Sequence, residues 1–184
     1  MPEPMDKSLK EKFGVTVMEL TEKLNDPTKY NDTLKKICTL QSIENLCYLL
    51  HHLRSFVGAH PFNINIFKEG INASWEDQNN VSGCSWSVQC KPEYSNALFE
   101  RLTVYFTMRG FRNFKCNGIS ANIRKNFVKF TVWSGNVPSV ADGSDVLDEI
   151  GEAFGFGTPV EFIYKNHRDL VEKVVGSSST NERE

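Results

Sequence analysis

Apolar and polar side chains alternate along Val15-Thr16-Val17-Met18-Glu19-Leu20, a period of two that predicts a strand with one buried face. Thr33 to Leu40 is a second strand candidate, and Asn25-Asp26-Pro27-Thr28 between them collects turn-forming residues. The period changes after Ser42. Ile43, Leu46, Cys47, Leu49, Leu50 and Leu53 recur at helical spacing, and Ser42 is placed to cap that helix, whose apolar side is expected to face a core. Pro61 and the asparagines at 63 and 65 close this unit, around a short strand predicted at Ile64–Phe67. Ser85 to Cys90 alternates cleanly as another strand, bounded by Pro92. A second helix is predicted from Ser95 to Arg109, with Leu98, Leu102, Tyr105 and Phe106 on its apolar side and Gly110 as its stop. Gly118–Ile123 and Phe127–Trp133 predict two strands around a polar turn at Lys125-Asn126. A third helix spans about Asp142 to Phe154, using Val146, Leu147, Ile150 and Phe154, and Val160–Tyr164 predicts a last strand.

Strands that alternate in this way have one wet face and one buried face. With helices interspersed between them, the order predicts an α+β fold in which three helices cover the buried face of the sheet. The length of 184 residues fits one domain with a real core. Residues 1–13 read as a flexible tail, residues 14–175 as the domain, and residues 176–184, which begin Gly176-Ser177-Ser178, as a second flexible tail. A formal net charge of −2 excludes a bulk nucleic-acid binder, so any RNA contact has to come from a local basic patch. The five cysteines contain no C-x-x-C pair, which leaves zinc ligation without support, and their odd number without a secretory leader points to reduced thiols in the cytosol or nucleus. No apolar run approaches the roughly 18–20 residues that span a bilayer, so no membrane partner is expected and the sequons at Asn31, Asn72 and Asn80 are expected to stay unused. Neither a metal nor a cofactor is implied.

One triplet carries recognition chemistry. Trp75-Glu76-Asp77 follows Phe67-Lys68-Glu69-Gly70-Ile71 and precedes Gly83 and Trp86. Its neighbours Asn72, Ser74, Gln78, Asn79 and Asn80 are polar, a setting in which an indole is not fully buried. The ring offers a stacking face, and the adjacent Glu76 carboxylate can accept two hydrogen bonds from the N1–H and N2 amine of guanine. Adenine lacks the N1–H and would leave the carboxylate unpaired.

The stretch F-K-E-G-I-x-x-x-W-E-D-x-x-x-x-x-G-x-x-W resembles the cap-binding loop of the eukaryotic translation initiation factor 4E family, which binds the 7-methylguanosine cap of messenger RNA. The resemblance extends over nearly the whole chain past about residue 15 and is strongest at 67–86 and 118–133. It implies a curved antiparallel sheet with the cap site on the concave side and three helices on the convex one. The resemblance gives Trp75 and Glu76 the base, and Tyr30, in Pro27-Thr28-Lys29-Tyr30, the second stacking face, where the family usually has Trp. Trp133 matches the Trp that lies against the N7-methyl group, whereas Trp86 matches an architectural one. Asn122-Ile123-Arg124-Lys125-Asn126-Phe127-Val128-Lys129 resembles the family's phosphate segment. Alternation puts Ser120, Asn122 and Arg124 on one side of their strand, and Lys129, Thr131 and Trp133 together on theirs, so Arg124 and Lys129 are expected to converge on the 5′ triphosphate. Lys173, in His167-Arg168-Asp169-Leu170-Val171-Glu172-Lys173, resembles a further phosphate contact. Two family cations are missing: the middle Lys is Asn126, and the Arg before Trp86 is Ser85.

On the helical side the family binds Tyr-x-x-x-x-Leu-hydrophobic helices. Its V-E-D-F-W motif matches Ile43-Glu44-Asn45-Leu46-Cys47, so the anchoring Trp has become Cys47. The resemblance implies a partner surface of Ile43, Glu44, Cys47, Leu102 and Phe106 that takes a scaffold protein of the 4G type or a binding-protein helix. It implies a monomeric, divergent paralogue that binds capped mRNA in translation initiation and catalyses nothing. A cap-binding repressor is the competing role, prompted by Tyr30 and Cys47. From other classes, Lys125–Val132 is loosely similar to an aromatic strand of a general RNA-binding sheet, and Cys47 with His51-His52 offers a thiol nucleophile that lacks a third group.

Overall fold

The computed structural model describes residues 7–20, 34–139, 143–158 and 160–178, with the side chains of 173–178 excepted. Seven strands, β1 (Ser8–Glu19), β2 (Lys35–Ser42), β3 (Phe62–Lys68), β4 (Cys84–Cys90), β5 (Cys116–Ile123), β6 (Val128–Ser134) and β7 (Ile163–Asn166), form one sheet. Their order is β2-β1-β3-β5-β6-β4-β7 and every pairing is antiparallel. The helices are α1 (Ile43–His52), α2 (Pro92–Val104), α3 (Gly143–Phe154) and α4 (His167–Ser178). A π turn at Tyr105–Arg109 prolongs α2, and Gly110 ends it at φ 75° while its N–H bonds the carbonyl of Tyr105 at 2.8 Å.

Alternation sorts the sheet into two faces. Ile64, Ile119, Ala121, Phe130 and Val132 point to one side, where Leu46 and Leu49 of α1, Phe99 and Leu102 of α2, and Val146, Ile150 and Phe154 of α3 join them in a single core. The opposite face presents Asn63, Asn65, Ser120 and Thr131, the pattern expected of a sheet covered on one side only. Ser42 caps α1 as its sequence position predicts: its hydroxyl accepts the Asn45 N–H at 3.3 Å from an extended backbone.

The structure departs from the sequence expectations at several points. Strand β1 begins at Ser8, inside the expected tail, because Phe13 is 2% exposed and pairs with both Leu40 and Lys68, while the charges before it lie outward and Glu11 meets Lys68 at 2.8 Å. Leu102 and Phe106 are 0% and 3% exposed. They belong to the core and offer no partner surface, since the face of α2 and of the π turn that carries them is turned into that core. The solvent side of that helix instead shows Glu100 and Arg101. Leu147, expected inward, is 39% exposed, and the buried positions of α3 include Glu149, whose carboxylate accepts the backbone N–H groups of Arg112 and Asn113, each at 2.9 Å. Strand β7 runs from Ile163 rather than Val160, fixed by pairing with Cys84–Ser87. A fourth helix, α4, starts directly at its end and extends through 176–178, which the sequence placed in a tail.

Candidate functional site

The register aligns Phe67, Gly118, Trp133, Ser85 and Lys165 in one row across β3, β5, β6, β4 and β7. Gly118 sets the shape of this row. A Cβ there would fall 2.3 Å from Cγ of Phe67, so only the bare backbone lets that ring lie across β5 and meet Trp133 edge-on at 5.5 Å. Trp133 is 8% exposed, and its indole N–H donates to Ser120 Oγ at 3.1 Å. Phe67, Ala73 and Trp133 make a small cluster on the polar face, separate from the main core, with Ile71 and a half-buried Trp75 packed on its rim. Trp75 therefore rests on an apolar base and keeps part of its ring open.

The loop that carries Trp75 joins β3 to β4 and is set by amide chemistry. Gly70, at φ 84°, turns the chain out of β3. The Asp77 carboxylate accepts the backbone N–H groups of Asn72 and Asn79, each at 2.9 Å; partial burial works to raise its pKa, but these bonds outweigh it and hold the carboxyl below its usual value. Asn80 is fully buried, and its amide donates to the carbonyls of Asn72 and Ser74, both at 2.9 Å. Its own Oδ1 accepts from Asn117 Nδ2 of β5 at 3.0 Å, and Asn117 also donates to the Asn79 carbonyl at 2.8 Å. Glu76 is exposed at the tip; the Ser74 hydroxyl donates to its carboxylate and accepts its backbone N–H at 3.3 Å. The acid that follows the indole is thereby oriented without being buried.

His167, at the first position of α4, completes the knot. It is 0% exposed, lies against Trp133 at 5.0 Å, and its Nδ1 is 2.7 Å from the Asn80 carbonyl. A carbonyl only accepts, so Nδ1 carries the proton and the buried Nε2, which has no partner among the described residues, is the bare nitrogen. Burial lowers the imidazole pKa below 6.5, more than the Asn80 bond raises it. With the folded value depressed, the unfolded chain takes up protons first as the pH falls. Stability is therefore full above the ordinary imidazole value and declines below it. Urea unfolding between pH 7 and pH 5 should show this decline, and His167→Gln should flatten it; an unchanged slope in the variant would exclude His167 as its source.

The cations lie farther along the polar face. Lys129 pairs with Asn122 on β5 and with Gln89 on β4. Burial, then the like charges of Lys165 and Arg124, lower its pKa. The Arg124 guanidinium donates to the carbonyls of Phe62 and Ile123 at 3.3 and 2.8 Å and to Asn63 Oδ1 at 2.9 Å. It is thus oriented across the ends of β3 and β5.

Of the residues singled out in the sequence, Trp75, Glu76 and Trp133 come together around the loop, and Arg124 and Lys129 share the same polar face. Tyr30 lies outside the described residues, as does the side chain of Lys173, whose backbone is in α4. Trp86 packs on Phe114 at 5.1 Å in the main core. On the far side Cys47 and Glu44 are exposed, Ile43 is half-buried, and Tyr48 is 68% exposed and stacked on His52 at 4.0 Å. Sequence reasoning gave no role to Asn80, Asn117, Lys165 or Tyr48. Among the described residues no group of three or more His, Cys, Asp or Glu side chains could hold a metal ion, and no helix is long and apolar enough to cross a membrane. All five cysteines are free thiols.

A likeness to known proteins accompanies this geometry. The Schizosaccharomyces pombe eukaryotic translation initiation factor 4E-2 is 26% identical over 160 residues, which cover 79% of this chain and 63% of that protein. The rice eukaryotic translation initiation factor NCBP is 31% identical over 111 residues, 58% of this chain and 48% of that protein. The chain thus spans about half to less than two thirds of the length of these two relatives. Among solved structures, C. elegans eIF4E-3 in complex with the 4E-binding protein Mextli and cap analog superposes with a TM-score of 0.78 at 20% identity, over 90% of this chain and 95% of that one. Ascaris suum eIF4E-3 with m2,2,7G cap gives 0.74 at 18% identity, over 88% and 91%; both likenesses show the same fold. The model of the family described as Eukaryotic initiation factor 4E matches residues 8–182, and with nearly the full chain so covered, this protein belongs to that family.

Proposed function

We propose that this chain binds the 7-methylguanosine 5′ cap of messenger RNA and acts in translation initiation, as a monomer working in the cytoplasm and without making or breaking bonds. The observation that carries the proposal is the pairing of a half-open Trp75, seated on the Phe67–Trp133 cluster, with an exposed Glu76 held by Ser74. The indole supplies a face for a base, the carboxylate reads the guanine edge, and a base methylated at N7 is cationic and so attracted to the ring. Tyr30 supplies the second face. It stands four residues before Leu34, which lines a cleft of about 390 Å³ with Phe67, Ile71 and Ala73. Trp133 takes the methyl side of the base, and Arg124, Lys129 and Lys173 take the phosphates.

On the opposite face, Ile43, Glu44 and the exposed Cys47 receive the helix of a scaffold or binding protein, with Tyr48 beside them as an aromatic contact. Cys47, where the family resemblance expects a Trp, offers less contact area, which lowers affinity for partners that rely on an aromatic anchor there.

The test is quenching of the intrinsic Trp fluorescence by a 7-methylated cap dinucleotide beside its unmethylated counterpart. Tighter binding of the methylated form is expected. Equal binding of the two removes cap recognition and leaves a general RNA-binding sheet.

A further inference from the structure

Lys165 is exposed on the edge strand β7, opposite Ser85 in the β4–β7 register, and Ser85 is opposite Trp133 in the β4–β6 register. Residues paired across strands point to the same side of a sheet, so Lys165 extends the Trp133 row on the polar face. Ser85 is 3% exposed and uncharged, so the positive charge of this row comes from β7. After burial, the like charges of Lys165 and then Arg124 lower the Lys129 pKa, in keeping with their place on this face. Lys129 and Lys165, two lysines on one face, neither with a carboxylate at ion-pair distance among the described residues, raise the energy of the free protein, and an anion placed between them relieves it.

We propose that Lys165 is a phosphate-contacting residue, which supplies from β7 the positive charge that position 85 lacks, so that a polyphosphate lying along the polar face is held by Lys165 from the β7 edge as well as by Lys129 and Arg124. The ligand class is a 5′-linked polyphosphate on a methylated guanine, so this assignment rests on the cap-binding reading of the same site.

Titration calorimetry of the full chain with 7-methyl-GTP and with 7-methyl-GMP, on the unaltered protein, Lys165→Gln and Lys165→Arg, tests it. Lys165→Gln should weaken 7-methyl-GTP binding about fivefold, leave 7-methyl-GMP nearly unchanged and flatten the salt dependence, whereas Lys165→Arg should keep the affinity. Undiminished 7-methyl-GTP binding by Lys165→Gln overturns the assignment and leaves the cap reading standing. An equal loss for both nucleotides also overturns it, because the lysine would then act on the base or through the fold. Failure of the unaltered protein to bind 7-methyl-GTP overturns the cap reading and this assignment together.

Discussion

Trp75→Ala is expected to lower affinity for a 7-methylated guanine nucleotide by about a hundredfold. Stacking of a base on an aromatic face is worth roughly 1–3 kcal/mol, and the positive charge of an N7-methylated base adds about 0.5–2 kcal/mol on a Trp face. A middle value of about 3 kcal/mol corresponds to two decades. Stability should change little, because Trp75 sits on the rim of its cluster and is only half-buried. Calorimetry is the measurement of choice, since the substitution also removes the indole whose fluorescence would report binding. Glu76→Gln separates the two halves of the mechanism. It keeps the ring and the shape but removes the charge that strengthens hydrogen bonds to the guanine edge, so it should cut guanine affinity while sparing the advantage of methylation. A Trp75→Ala protein that still binds within about threefold of the parent would exclude stacking on this ring as the source of affinity.

Asn80→Ala should be the most damaging single change to the fold of the loop, at about 3 kcal/mol. The Asn80 side chain makes three hydrogen bonds while fully buried, and alanine would leave the carbonyls of Asn72 and Ser74 without it and the Asn117 amide with only its bond to the Asn79 carbonyl. Each unsatisfied buried group costs about 1–3 kcal/mol, moderated by water that enters the space. In a chain of this length that amounts to a fall in Tm of roughly 10 °C. Cap affinity should fall with it even at temperatures where the variant is folded, because Ser74 and hence Glu76 lose their anchor. A midpoint in urea corresponding to less than about 1 kcal/mol lost would show that the loop is held by something other than this amide.

The sequence disclosed the parts of this molecule whose physics is local. Strands β5 and β6 are legible because one face must be apolar and the other wet, and their alternation places Arg124, Lys129 and Trp133 before any coordinates are seen. The Ser42 cap is legible for the same reason, being a matter of three residues. Trp75 and Glu76 stand out because a stacking face and an acceptor for a guanine edge fall on adjacent residues. What stayed hidden depends on distance along the chain. The Asn80–Asn117 bond joins residues 37 apart, and Asn80–His167 residues 87 apart; an asparagine in a polar loop gives no sign that its amide is the centre of a buried network. Lys165 went unnoticed because its significance lies in register, opposite Ser85. Helical spacing found the apolar side of α2 correctly but could not tell that the sheet would cover Leu102 and Phe106 completely. The charged start of β1 reads as a tail because propensity alone does not include the strands β2 and β3 that pair with it.

The tie between Asn80 and β5 has a consequence for recognition itself. A loop fastened to a central strand is pre-organised, so the conformational entropy of setting Trp75 and Glu76 in place is spent when the domain folds rather than when a ligand arrives. No fraction of the population has to be recruited to a competent arrangement of these two residues, and their contribution to affinity is not diminished by such a search. On this side of the site, discrimination between ligands is then set by what the ligand itself brings, its charge and its hydrogen-bonding edge.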